Sequence, residues 1–176
     1  DQFSELKISN TDLQLYTMPS QQEMEKVGIQ MHWFGYYERW IPQENYYYAA
    51  EHCGFEPNPD ARSEGTYSKY SSLDDRIDGF HYYTTYMKFG IGRATYDASQ
   101  EIRNKHLTRE EGKALVKRFD GEFPDRYFDE VMRYIGMKPQ RFYELCDEFR
   151  SPHLWKKENG KWRLRHTVNL DGTDDK

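Results

Sequence analysis

The chain has 176 residues, a length that fits one domain or one domain with an extension. Its formal net charge of -5 excludes a general nucleic-acid binder, which needs a basic surface. An apolar share of 36%, built largely on 15 Tyr, 10 Phe and 4 Trp, predicts a core of rings with polar tips and excludes a disordered chain.

No apolar run approaches the roughly 18 residues that would span a bilayer, so no membrane segment is expected. The two cysteines, Cys53 and Cys146, lie far apart in the sequence. They are too few for a disulfide scaffold, and a reduced, cytoplasmic setting is expected.

Residues 1–19 are mixed and polar, ending at Pro19. Ser20-Gln21-Gln22-Glu23 predicts a helix start with a capping box, and Gly28 stops that helix early. Val27, Ile29, Met31 and Trp33 then alternate with Gly28, Gln30, His32 and Phe34, the pattern of a strand. Pro42 and Gly54 bracket a helix. Phe55 to about Tyr70 reads as a long loop of roughly 15 residues, a length that marks a functional or mobile segment.

Ser72 and Asp75 predict the next helix start, with Leu73, Ile77, Phe80, Thr84 and Met87 as its apolar stripe. Gly90 and Gly92 separate it from a helix over Arg93 to about Asn104. Thr108-x-x-Glu111 is a further capping box. Pro124 and Pro139 predict two more helix starts, and the short connections suggest a helical bundle. Asn159-Gly160 predicts a type I′ hairpin that sets Glu158 opposite Lys161 and Trp155 opposite Leu164. The tail from Asn169 is polar. The predicted fold class is mainly α, with one strand near the N-terminus and a hairpin at the C-terminus.

Two stretches suit a polar ligand. In Lys88-Phe89-Gly90-Ile91-Gly92-Arg93, two glycines precede a helix N-terminus whose free N–H groups and positive dipole end favour an anion. Lys88 and Arg93 flank it; an ordinary helical corner with surface charges would read the same way. The second stretch is Arg62-Ser63-Glu64-Gly65-Thr66-Tyr67-Ser68-Lys69-Tyr70, rich in hydroxyls and both charge signs. It can position a ligand, and it also fits a solvated connector. Asp74, Asp75 and Asp78 fit dipole compensation in a first helical turn better than a magnesium site, so no metal site is assigned. Asp97 and Glu101 stand one turn apart, either lining the cleft of Arg93 or solvating a helix face. His32, His52 and His81 read as structural, and Cys146 on an apolar stripe is expected to be inert. No catalytic residue is assigned.

Two runs are more specific. One is His32-Trp33-Phe34-Gly35-Tyr36-Tyr37-Glu38-Arg39-Trp40-Ile41-Pro42-Gln43-Glu44-Asn45-Tyr46-Tyr47-Tyr48. The other comprises Glu64-Gly65-Thr66-Tyr67-Ser68-Lys69-Tyr70, Asp74-Asp75-Arg76-Ile77-Asp78-Gly79-Phe80-His81-Tyr82-Tyr83 and Lys88-Phe89-Gly90-Ile91-Gly92-Arg93-Ala94-Thr95. Together they resemble the C-terminal portion of bacterial N-acetyl sugar amidotransferases of surface-polysaccharide biosynthesis, the WbpG- and PseA-like group. The resemblance covers about residues 20–155.

The resemblance implies a PP-loop, adenine nucleotide α-hydrolase-like enzyme that converts a sugar acetamido group to acetamidino in lipopolysaccharide synthesis. It implies ATP and magnesium in the full-length enzyme, a sugar-nucleotide substrate, and a glutaminase subunit that supplies ammonia. A cyclase-like subunit often stands alongside. Adenylation of the amide oxygen would make it a good leaving group for displacement by ammonia. The family's Ser-Gly-Gly-x-Asp-Ser loop does not occur in this sequence. The expectation is therefore a C-terminal portion, inactive alone and with no cofactor bound. Residues 1–41 would end a truncated α/β nucleotide-binding domain, 42–153 would form a helical domain, and 154–176 a hairpin and tail.

Lys88 and Arg93 are the candidates for phosphate charge, with Tyr67, Ser68, Lys69 and Arg62 for sugar or diphosphate hydrogen bonds. Two rival readings remain. One is a PP-loop enzyme acting on tRNA, which the net charge disfavours. The other is a docking module for the glutaminase and cyclase subunits, with Tyr36, Tyr37 and Trp40 as anchors.

Overall fold

The computed structural model describes residues 8–168; the polar tail expected from Asn169 lies outside them. The chain divides into two units, Asp1–Trp40 and Ile41–Lys176.

In the first unit, α1 (Asn10–Leu13) and α2 (Gln21–Val27) each begin with a capping box, Ser9 with Asp12 and Ser20 with Glu23. In each box the hydroxyl accepts from the third N–H and the acid accepts from the cap N–H, which satisfies two free donors. None of residues 8–40 is buried.

The strand expected at Val27–Phe34 does not form. Val27 ends α2, and Phe34–Tyr36 is a 3₁₀ turn. The residues between them are irregular and exposed. A strand needs a neighbour to take its backbone N–H and C=O groups. Among the described residues the only sheet is the hairpin at the other end of the chain. Alternation alone therefore gives no strand here.

The second unit is helical: α3 (Pro42–Cys53), α4 (Asp78–Phe89), α5 (Arg93–Arg103), α6 (Arg109–Phe119), α7 (Phe128–Tyr134) and α8 (Pro139–Phe149). Strands β1 (Trp155–Glu158) and β2 (Lys161–Leu164) follow. The fold is mainly α with a C-terminal antiparallel hairpin. Its register pairs Trp155 with Leu164 and Glu158 with Lys161, as the Asn-Gly turn predicts.

Two helices start later than the sequence suggests. Helix α4 begins at Asp78 rather than near Ser72, because Asp75 Oδ1 accepts from the N–H groups of Ile77 and Asp78 and caps the chain there. Ser72 has a positive φ of 55°, which breaks any earlier turn. Helix α7 begins at Phe128, and Pro124 belongs to the irregular stretch before it.

One core joins α4, α7, α8 and the hairpin. Phe80, Met87, Val131, Met132, Phe142, Cys146 and Trp155 are buried together. Phe142 meets Phe80, Phe123 and Phe128 edge-on at 5.6–6.3 Å between ring centres. Trp155 packs edge-on against Tyr86, and its indole N–H donates to the Met87 carbonyl at 2.8 Å. That bond satisfies the polar end of a buried ring and fastens the hairpin to α4. Burial pushes the Cys146 thiol up to about 11, which leaves it inert at neutral pH.

Helices α5 and α6 pack closely beside this core. Ala94 and Ala98 are buried on α5, and Gly112 is buried on α6. A Cβ on Gly112 would come within 2.7 Å of Ile102 Cδ1, so a larger residue would make the Ile102 side chain shift.

Phe142 on α8 meets rings of α4, of α7 and of the segment before α7. Phe142→Ala is expected to lower the unfolding free energy by about 3–5 kcal/mol, measured by urea denaturation.

Candidate functional site

The loop between α3 and α4 is held on the helical unit by carboxylates that come from distant positions. Glu122, just after α6, takes both Arg62 guanidinium nitrogens at 2.6 and 2.7 Å. It also accepts the Gly65 N–H at 2.9 Å. Arg62 Nη1 donates further to the Ser63 and Thr66 carbonyls, and its guanidinium lies over the Phe119 ring. A two-pronged arginine–carboxylate pair fixes direction as well as distance.

Asp97 on α5 makes the second anchor. Its side chain is 11% exposed. It accepts the Thr66 hydroxyl at 2.6 Å and Arg93 Nε at 2.9 Å. Arg93 also donates to the Tyr82 hydroxyl at 3.3 Å and lies near the Tyr82 and Tyr96 rings. The Tyr82 hydroxyl bonds in turn to Ser72. Burial raises the Asp97 carboxyl above its usual range, while Arg93 and Thr66 pull it back.

A third carboxylate, Asp120, serves the start of α5. It accepts the N–H groups of Gly92 at 3.1 Å and Thr95 at 3.0 Å, and the Thr95 hydroxyl as well. A Cβ on Gly92 would meet Asp120 Oδ1 at 2.6 Å, so glycine is what admits the carboxylate. The helix N-terminus that the sequence offers to an external anion is occupied by the protein's own.

The structure thus brings Arg62, Tyr67, Ser68 and Arg93 together around the 62–70 loop. Ser68 is buried; its N–H donates to the Thr66 hydroxyl and its own hydroxyl to Ser71. Tyr67 is half-buried. Lys69 stands exposed on the same loop; its carbonyl accepts the Asn58 N–H at 2.8 Å, and its ammonium has no described partner. Lys88, at the far end of α4, is exposed and lies over the Phe89 ring. Thr66, Tyr82, Asp120 and Glu122 are the contributors that the sequence reading did not single out. Asp120-Gly121-Glu122 directly after a helix was the available signal, since acids there are badly placed for the helix dipole and need another use.

Glu101, one turn after Asp97, carries the cluster toward the end of α5. Its carboxyl is raised by burial, against the influence of the nearby Tyr67 and Tyr70 hydroxyls and of His106. The same burial pushes Tyr70 up to about 12 and raises Tyr67 further.

A separate cleft of about 500 Å³ lies on the loop's other side, lined among others by Glu56, Asp60, Glu64, Asp74, Asp75 and Asp78. Asp74, Asp75 and Asp78 can bring oxygens within 4.8 Å of one another. Asp75 already caps α4, as the dipole reading expects. Among the described residues no helix is long and apolar enough to cross a membrane.

A helical C-terminal domain with a polar loop fastened by internal ion pairs is the class that fold and site define. Residues 64–169 match the family described as LPS biosynthesis protein WbpG-like, C-terminal domain. That span is more than half of the chain, and the chain belongs to this family, which places it in lipopolysaccharide biosynthesis. No curated protein matches it.

Glu122 and Glu101 respond to pH with opposite signs. The Arg62 hydrogen bonds hold Glu122 below the usual carboxylate range, against some burial. Its contribution is present above the unfolded pKa and is lost as pH falls through the folded one. Glu101 is raised, so its contribution is present below the unfolded pKa and is lost as pH rises through the folded one. In urea midpoints measured across pH, Glu122→Gln is expected to flatten the acid limb. Glu101→Gln is expected to be more stable than the parent at neutral pH.

Proposed function

We propose that this chain is the C-terminal part of an ATP-dependent N-acetyl sugar amidotransferase and forms the sugar-nucleotide side of its site. The activity would convert an acetamido group to acetamidino on a lipopolysaccharide precursor. Family membership supports the pathway. The observation that carries the substrate assignment is the 62–70 loop. It is fixed by Glu122 and Asp97, while the Lys69 ammonium is left exposed with no described partner. A rigid loop with hydroxyls, phenols and an uncommitted ammonium suits a diphosphate-linked sugar.

The described residues do not fit an ATP site. The N–H groups at the start of α5 are bound to Asp120, and the sequence holds no Ser-Gly-Gly-x-Asp-Ser loop. The proposal therefore gives these residues no contact with ATP or magnesium. Arg93 and Arg62 act in it as positioning residues, since both guanidiniums are committed to carboxylates. Lys88 lies at the far end of α4 and would contribute only long-range charge. Ammonia would come from a glutaminase subunit, with a cyclase-like subunit alongside. Two free cysteines accord with a cytoplasmic setting.

Calorimetric titration with UDP-N-acetylglucosamine tests the reading. Binding without ATP is expected, and Lys69→Ala is expected to weaken it about tenfold through loss of one charge-assisted contact. Unchanged affinity in Lys69→Ala would remove the diphosphate role.

One observation favours a second reading, docking to the glutaminase. Trp33, Tyr36 and Trp40 are 79%, 85% and 63% exposed. Large rings standing in water are common interface anchors. Co-elution with the purified glutaminase subunit, lost in a Tyr36→Ser, Trp40→Ser double variant, would establish docking.

A further inference from the structure

The hairpin carries a charge opposite to that of the chain as a whole. From Trp155 to Arg165 there are five cations, Lys156, Lys157, Lys161, Arg163 and Arg165, against Glu158 alone, in a chain of net charge -5. The register sorts them by face. Trp155 opposite Leu164 and Lys157 opposite Trp162 share one face. That face lies on the end of α4: Trp155 is buried, and a Cβ on Gly90 would meet Leu164 Cδ2 at 2.9 Å. The other face looks outward, with Lys156 opposite Arg163, Lys161 opposite Glu158, and Arg165 next along β2. Like charges directly opposite each other weaken a sheet. Glu158 relieves the pair by reaching Lys156 at 2.8 Å and Arg163 at 3.6 Å, which leaves Lys161 and Arg165 as surplus charge on that face. Lysines also protect open strand edges, and among the described residues nothing pairs with either edge of this hairpin. Edge protection is met by charge of either sign and does not call for one sign over a whole face.

Exposed apolar side chains border the hairpin. Phe89 and Ile91 flank Gly90, where Leu164 lands, and are 55% and 54% exposed. Lys88 lies over the Phe89 ring and adds a further cation. Ile91, Lys117, Leu164 and Val168 share a groove of about 510 Å³. Asp120, the acid in that groove, is spent on the start of α5. The acidic side chains Asp74, Asp75 and Asp78 stand at the opposite end of α4, where they line the cleft described above. Helix α4 has 12 residues and is about 18 Å long, more than twice the roughly 8 Å over which salt screens a charge. The hairpin's positive field therefore acts locally despite the negative total.

We propose that the outer face of the hairpin, with Phe89 and Ile91 at its border, is a docking surface for an anionic lipid bilayer. Cations that reach lipid phosphates and apolar side chains that enter the acyl boundary are the two parts of peripheral membrane attachment. A nucleic acid would use the cations alone and leave Phe89 and Ile91 in water. The contact is peripheral, since among the described residues no helix is long and apolar enough to cross a membrane. It would hold a member of a lipopolysaccharide pathway against the phase that carries the lipid. The proposal stands apart from the sugar-nucleotide reading, and either can fail without the other.

The test is co-sedimentation of the whole chain with vesicles, one set of phosphatidylcholine alone and one an equal mixture of phosphatidylcholine and phosphatidylglycerol. Binding to the mixed vesicles alone is expected, and it should fall as salt rises. One cation near a membrane surface is worth about fivefold in partition, so the Lys161→Gln, Arg163→Gln double variant is expected to lose about 25-fold. Both side chains are exposed, and the melting temperature is expected to hold. Glu158→Gln removes the one acid of the face and is expected to raise partition about fivefold, a gain that a damaged fold cannot produce. Phe89→Ser with Ile91→Ser is expected to weaken binding about tenfold through lost apolar burial, at an unchanged salt dependence.

No binding, or equal binding to both vesicle types, overturns the proposal. Parental partition in the Lys161→Gln, Arg163→Gln variant also overturns it, as does weaker partition in Glu158→Gln at an unchanged melting temperature. Duplex DNA that binds as tightly as the mixed vesicles and competes with them would assign the face to nucleic acid and overturn the lipid reading. Self-association of the parent that the double variant abolishes would assign the face to a second copy of the chain, with the same consequence.

Discussion

The carboxylate of Glu122 is the interaction on which the arrangement of this domain depends. It sits just past the end of α6 and reaches back across more than fifty residues to Arg62 and Gly65. It makes the most bonds to the long connection between α3 and α4, which Asp97 and the Arg126 contacts to Asp60 and Glu64 hold elsewhere. That connection buries few large apolar side chains, and it would otherwise remain solvated. A bidentate pair that is only about one-third exposed loses less to solvent screening than a surface pair. With Arg62 fixed, the loop carries Thr66 to Asp97, and the Gly65 carbonyl accepts the Ala94 N–H at the start of α5.

Asp97, Asp120 and Glu122 divide the work that an external anion could have done. Each neutralises donors that would otherwise face solvent or a phosphate: Arg93, the first N–H groups of α5, and Arg62. This explains how a chain of net charge -5 can keep arginines half-buried beside a helix N-terminus. It also separates positioning from binding. Arginines committed internally are poor candidates for direct phosphate contact, and an uncommitted lysine on the fixed loop is a better one.

Much of the fold could be read locally. The capping boxes at Ser20 and Thr108, the proline starts at Pro42 and Pro139, and the Asn159-Gly160 hairpin all form where their motifs stand. Each of these is decided within four or five residues. The reading failed where the outcome depends on something distant. Val27–Phe34 has the alternation of a strand, but a strand is a relation between two segments and no described segment pairs with it. At Asp75 the carboxylate was recognised as a helix-start residue, yet the strained backbone at Ser72 moved the start forward. The site was legible as a stretch, residues 62–70 with Arg93, while Glu122 and Asp120 were not. Nothing local in a sequence says which of many acids will cross the fold to meet a given arginine.

The end of α5 shows a different balance from its beginning. At Asp97 every oxygen has a partner, and the surrounding groups are satisfied by one another. At Glu101, one turn later, burial still disfavours the charge, and what offsets it is the pair of nearby phenols and His106 rather than a bonded arginine. A fold selected only for stability would replace that glutamate or pair it, since an uncompensated buried carboxylate is costly. The contrast between two acids on adjacent turns of one helix is therefore a contrast of partners, one arginine-bound and one not. Asp97 holds the loop in place through Thr66, and Glu101 stays beside it at a cost that neutralising the side chain would relieve.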